Sequence, residues 1–138
     1  MSFKVAIVAG SKSDEEYVKL VEDELKELGI GFETRYLSAH RQPEETAKFA
    51  KDAQGNGFKA IIALAGFSAA LPGVIASMTT LPVIGVPLDT SPLSGWDALL
   101  ATVQMPKGVP VATMSVGKTG AVNAARFCAR LKDLLQKD

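Results

Sequence analysis

The chain has 138 residues, 47% of them hydrophobic, and its 15 Lys+Arg balance 15 Asp+Glu to a formal net charge of zero. That length fits one domain over residues 1–138, large enough to fold without disulfide or metal staples. Charge balance excludes the basic footprint of a nucleic-acid or anionic-membrane binder; a single Cys and a single His cannot form a usual zinc set; no apolar run reaches the ~18 residues of a membrane span.

In chain order, the start MSFKVAIVAG runs directly into strand-like sequence and is too short for a signal peptide, so a cytoplasmic protein is expected. KVAIVAG (4–10) is a continuous apolar run ending in Gly, the pattern of a strand buried on both faces. SDEEYVKLVEDELKELG (13–29) places Tyr17, Val18, Val21, Leu25 and Leu28 at helical spacing, with acids in the first turn and Gly29 as the stop. GFETRYL (31–37) alternates like a strand nearer the sheet edge. QPEETAKFAKDAQGNG (42–57) reads as a helix with Pro43 in its first turn. FKAIIALAG (58–66) is a second buried strand, SAALPGVIASMTT (68–80) a short apolar helix, and LPVIGVPL (81–88) a third buried run. GWDALLATVQM (95–105) is helical, VPVATMSVG (109–117) a last strand and AVNAARFCARLKDLLQKD (121–138) a closing helix. Cys128, inside that helix, reads as a core or interface thiol.

Strand–helix alternation with buried apolar strands implies parallel pairing and right-handed crossovers. The expected fold is α/β: a three-layer, doubly wound parallel sheet of flavodoxin-like order. Such sheets bind ligands at the carboxyl ends of their strands, which directs attention to residues 10–14, 38–41, 65–73 and 86–95.

GSKSD (10–14) suits a small phosphate site: Gly10 permits a tight turn, the first helical N–H groups are free, and Ser11 and Ser13 add hydroxyls. Asp14 would instead accept hydrogen bonds from sugar hydroxyls. The same residues are explained equally well by Ser13 capping the helix. In SAHR (38–41), Arg41 is a two-pronged phosphate donor, Ser38 adds a hydroxyl and His40 is the one side chain that titrates near neutrality. The alternative is a loop histidine bonded to backbone beside a solvated arginine; the position at the mouth of the sheet weighs against it. AGFSAALPG (65–73) and GVP…SPLSGWD (85–97) are rich in small residues. Gly66, Gly73, Gly85 and Gly95 would let backbone approach a planar ligand, or would serve tight helix–sheet packing. Trp96 reads as a packing or interface residue, and VQMPKGVPVAT (103–113) as a loop that closes a pocket or meets a neighbouring subunit.

Taken together and in order, GSKSD, SAHR.P, LPG…LPVIGVP, LSG.D.LL..VQMP.GVPVAT and G..GA.NAA resemble the 5-aminoimidazole ribonucleotide carboxylase family of purine biosynthesis over Val5 to Leu131. The similarity is greatest to its class I branch, the 5-(carboxyamino)imidazole ribonucleotide mutases. The resemblance implies that Ser11, Asp14 and Arg41 bind the nucleotide, with Asp14 on the ribose and Arg41 plus the serine hydroxyls on the 5'-phosphate. Gly10, Ser13 and Ser38 belong to the same loops. His40 matches the catalytic histidine, and Gly66, Ser68, Ala70 and Leu71 would lie around the imidazole ring and its carboxyl group. The implied reaction moves a carboxylate from the exocyclic nitrogen to ring C4 through trapped CO2, without metal, ATP or organic cofactor. The implied partners are an imidazole ribonucleotide, CO2 and further copies of the chain, in an octamer.

Two departures stand out. Class I members carry Ala-Ala-His-Leu-Pro-Gly where this chain has Ser68-Ala69-Ala70-Leu71-Pro72-Gly73, so Ala70 stands in place of the second histidine. Ser68 followed by Ala70-Leu71 is instead similar to class II, which carboxylates aminoimidazole ribonucleotide with free CO2, yet class II has arginine at the position of Phe67. Family members also continue into a C-terminal tail that helps knit the octamer, whereas this sequence stops at Asp138. Beside the mutase stand two alternatives: direct carboxylation by CO2, a lyase-type activity, and a non-catalytic nucleotide-binding paralog. A phospho-receiver domain ranks last, because no acidic cluster ends the first strand.

Overall fold

The computed structural model describes residues 2–136. Five strands, β1 (Lys4–Ala9), β2 (Gly31–Tyr36), β3 (Phe58–Ala65), β4 (Val83–Pro87) and β5 (Ala112–Thr113), pair in parallel in the order β2-β1-β3-β4-β5. The helices are α1 (Glu15–Glu27), α2 (Pro43–Asp52), α3 (Leu71–Met78), α4 (Trp96–Val103) and α5 (Lys118–Gln136), with a short 3-10 turn at Lys12–Asp14 before α1.

The continuous apolar runs are explained by burial on both sheet faces. Val5, Ile7 and Ala9 of β1 and Ala60, Ile62 and Leu64 of β3 join Val18, Val21 and Leu25 of α1 and Ala121, Ala124, Ala125 and Cys128 of α5 in one core. The alternate residues, Ala6, Val8, Ile61, Ala63 and Ala65, pack on the other face with Ala50 of α2, Leu71 and Ile75 of α3 and Ala98 of α4. This is the expected three-layer, flavodoxin-like α/β arrangement. Each fully buried Leu, Ile or Val contributes about 1.5–3 kcal/mol of transfer free energy, so two cores hold the sheet rigid and fix its strand ends. Close helix packing needs Gly85: a Cβ there would meet Thr102 Cγ2 at 2.5 Å and Val111 Cγ1 at 2.9 Å.

Several boundaries differ from the expectation. The last strand is two residues long rather than spanning 109–117. Pro110 has no N–H to give a ladder, and beyond β5 the chain is tied by single bonds, Met114 N–H to the Gly85 carbonyl (2.9 Å) and Gly117 N–H to that of Pro87 (2.8 Å). The α2 helix stops at Asp52, before the Gly-rich stretch, instead of reaching 57. The first helix begins at Glu15, because Ser11, not Ser13, caps the preceding turn: Ser11 Oγ accepts the Ser13 N–H. Trp96 is not a core residue within the chain; it is 67% exposed. Among the described residues, no helix is long and apolar enough to cross a membrane.

Candidate functional site

The carboxyl ends of β1, β2, β3 and β4 surround a cavity of about 620 Å³, within the 300–1,000 Å³ range of small-molecule sites. The ladder carries on past the strand ends and fixes the loops there. Gly10 N–H donates to the Leu64 carbonyl (3.3 Å), Leu37 N–H to that of Ala9 (2.9 Å) and Leu88 N–H to that of Ala65 (3.0 Å).

The first loop contributes Gly10, Ser11, Ser13 and Asp14 to the wall. Ser11 is extended (φ −150°), and its hydroxyl lies 2.8 Å from that of Ser13. Between them Lys12 turns its ammonium over the Tyr36 ring, 4.8 Å from the centroid. Asp14 stands at the head of α1 but its side chain makes no capping bond. It is only 6% exposed, and burial raises its carboxyl above the ordinary pKa. A desolvated carboxylate that serves neither cap nor ion pair is costly in an empty site, and is positioned to accept hydrogen bonds from a ligand.

The second loop is wound around Ser38. Its hydroxyl accepts from the Arg41 backbone N–H (3.1 Å) and Arg41 Nε (3.4 Å), its carbonyl accepts from Gln42 N–H (2.7 Å), and its own N–H donates to Gln42 Oε1 (3.2 Å). Arg41 is therefore steadied at Nε while its terminal nitrogens pair with no carboxylate among the described residues. His40 faces the same cavity, and neither ring nitrogen is bonded to protein among the described residues, so the backbone-bonded loop histidine is not what the fold builds.

The third loop supplies Gly66, Ser68, Ala70 and Leu71. Gly66 makes a close approach: a Cβ there would meet the hydroxyl of Thr90, which follows β4 and lines the cavity from that side, so a side chain at 66 would have to displace that hydroxyl. Ala70 is the N-cap of α3 and offers no side-chain cap; Pro72 brings no N–H and Gly73 lies off the cavity, so Leu71 is the first-turn residue with an N–H on this wall.

All eleven residues singled out as site candidates, Gly10, Ser11, Ser13, Asp14, Ser38, His40, Arg41, Gly66, Ser68, Ala70 and Leu71, line this one cavity. Gly73, Gly85 and Gly95 do not; virtual Cβ atoms there meet Met105, Thr102 and Val116, so these glycines serve packing. The 103–113 loop does not reach the cavity either. The sequence pointed to the loops 65–73 and 86–95 but did not single out Phe67 or Thr90 within them as site residues. A hydroxyl directly after a buried strand run was an available signal for Thr90; nothing in composition marks Phe67.

The chain is 54% identical over 129 residues to the N5-carboxyaminoimidazole ribonucleotide mutase of Brucella melitensis, an alignment covering 94% of this chain and 80% of that protein. It is 50% identical over 135 residues to the mutase of Saccharolobus solfataricus, covering 98% and 84%. The crystal structure of Treponema denticola PurE superposes with a TM-score of 0.86 at 30% identity, over 97% of this chain and 82% of that one. The AIR carboxylase family signature matches residues 4–138. With half its residues shared across nearly its whole length, and the same sheet beneath them, the chain belongs to the AIR carboxylase family.

Proposed function

We propose that the chain is an enzyme of purine biosynthesis that converts N5-carboxyaminoimidazole ribonucleotide to its C4-carboxylated isomer, as the names of its relatives indicate for them. The observation that carries this reading is the convergence of an unpaired guanidinium (Arg41), a buried uncapped carboxylate (Asp14) and an unbonded imidazole (His40) on one cavity. Arg41 and the Ser11 and Ser13 hydroxyls hold the 5'-phosphate, and Asp14 accepts from the ribose hydroxyls. The heterocycle then extends toward the 66–71 loop. His40 delivers a proton to the exocyclic nitrogen as the N–CO2 bond breaks, releasing CO2 beside an electron-rich ring. C4 attacks that CO2, and His40 takes the C4 proton, returning to its starting form. Atoms and charge balance with one shuttled proton. The tight wall around Gly66, Ala69 and Ala70 and the uncapped first turn of α3 keep CO2 and the nascent carboxylate against the ring.

The Leu93, Trp96, Leu100 and Val103 side chains are exposed, the last three at i, i+4 and i+7 on α4. An apolar stripe of this kind is what a further copy of the chain would cover, which supports a homo-oligomer; the octamer and the cytoplasmic location are carried over from the family resemblance.

Ala70 favours a second reading, direct carboxylation of aminoimidazole ribonucleotide by free CO2. Proton NMR of purified protein with each ribonucleotide, at controlled bicarbonate, separates the two. The mutase converts the carboxyamino substrate without added bicarbonate; activity that rises only with bicarbonate rejects it. Ligand-induced stabilisation with no product from either substrate leaves only a binding module.

A further inference from the structure

Phe67 sits on the cavity wall in a left-handed backbone conformation, φ +55°. Bulky residues rarely adopt that region, because Cβ crowds the backbone, and such outliers persist where surrounding structure enforces them. Here the enforcement is visible. The Phe67 carbonyl accepts the Ala69 N–H (2.9 Å), Ala65 is bonded to Leu88 (3.0 Å), and Gly66 is pressed against Thr90. The side chain recovers little from its own fold, for it is 57% exposed and belongs to neither core. A glycine would fit this backbone without strain. A large aromatic residue therefore stands on the cavity wall at a conformational cost that no core packing of its own side chain offsets.

We propose that Phe67 is the platform on which the heterocycle of the ribonucleotide stacks, and hence a specificity-determining residue of this site. The inference rests on the function proposed above. Phe67 lies on the same loop as Gly66, Ser68 and Ala70, all of which line the cavity with it. Stacking needs only a planar π-face from the ligand. It orients the heterocycle edge-on to His40 and shields one face from water, which favours retention of CO2.

The test compares wild type, Phe67→Gly and Phe67→Tyr by calorimetric binding of aminoimidazole ribonucleotide and of ribose 5-phosphate, which lacks the heterocycle. Stacking predicts that Phe67→Gly weakens the ribonucleotide roughly fivefold or more and changes ribose 5-phosphate less than twofold. Phe67→Tyr retains both affinities. The Gly variant melts at or above the wild-type temperature because the strained backbone is relieved, so weaker binding is not unfolding. Equal loss for both ligands, or no loss for either, overturns the inference. So does a change of assembly mass in Phe67→Gly with the affinity ratio intact, which would place the ring under a neighbouring copy. A wild-type protein that binds neither aminoimidazole ribonucleotide nor ribose 5-phosphate overturns the proposed function itself, and this inference with it.

Discussion

Replacing Asp14 by asparagine should move stability and ligand affinity in opposite directions. The Asp14 carboxylate is buried, makes no capping bond to α1, and has a pKa raised by desolvation. A raised folded pKa means that the fold disfavours the charged form relative to the unfolded chain. This contribution therefore costs nothing at pH values below the unfolded pKa. It grows as pH rises through the window between the ordinary carboxyl value and the raised one, and persists above it. The amide introduced by Asp14→Asn is near-isosteric and uncharged, so the variant should melt higher than wild type near pH 7.5, with the difference shrinking at pH 4. A gain of about 1 kcal/mol corresponds to roughly 3 °C for a chain of this size. Affinity should fall instead. A carboxylate accepting from two ribose hydroxyls makes two charge-assisted bonds of about 1.5–3 kcal/mol each, and an amide retains one acceptor oxygen. Loss of one such bond weakens the ribonucleotide about 10- to 150-fold. Thermal melts at both pH values and calorimetric titration of the ribonucleotide read the two effects separately. A variant that melts lower than wild type at pH 7.5, or binds within twofold of it, would refute the assignment of Asp14 to ligand rather than to fold.

His40→Asn should bind the ribonucleotide within about threefold of wild type while turnover drops about 10²- to 10⁴-fold; turnover near the wild-type rate in NMR assays would end the proton-shuttle role. Leu100→Glu places a charge in the exposed α4 stripe and should shift sedimentation at micromolar concentration to a smaller species. An unchanged mass would show that this face is not the contact. Cys128 is fully buried and burial pushes its thiol up to about 12. A chromogenic disulfide reagent at pH 8 should therefore label native protein only as fast as it opens, and rapid stoichiometric labelling would contradict the core placement.

The sheet was legible because its central strands announce themselves. β1 from Val5, β3 from Ala60 and β4 from Val83 are continuous apolar runs, and only a strand covered by helices on both faces needs such a run. The ends of the sheet were not legible to the same degree. Around β5, a proline and an edge position reduce a nine-residue apolar pattern to two ladder residues, with scattered single bonds beyond. At the head of α1, two serines spaced by one residue compete for one cap. Ser11 takes it through a 3-10 turn, a choice made by local backbone geometry that residue type does not encode.

The two halves of the cavity differ in how they could be read, and the difference is physical. The half proposed for phosphate and ribose is made of atoms that are present: hydroxyls, a guanidinium and a carboxylate, each with a chemistry visible in its name. The half assigned here to the heterocycle and CO2 is made largely of what is missing. Gly66 matters because the absent Cβ leaves space for Thr90 Oγ1, and Ala70 because it leaves the first turn of α3 uncapped. Small residues of the same kind at Gly73, Gly85 and Gly95 merely let Met105, Thr102 and Val116 approach, so composition alone treats the two uses alike. Thr90 and Phe67 lie in the same blind spot, since one is defined by its partner across the sheet and the other by a backbone angle. If the proposed reaction holds, a site that confines CO2 beside a flat ring is specified by close-fitting absence, which sequence records only as glycine and alanine and the fold alone turns into a wall.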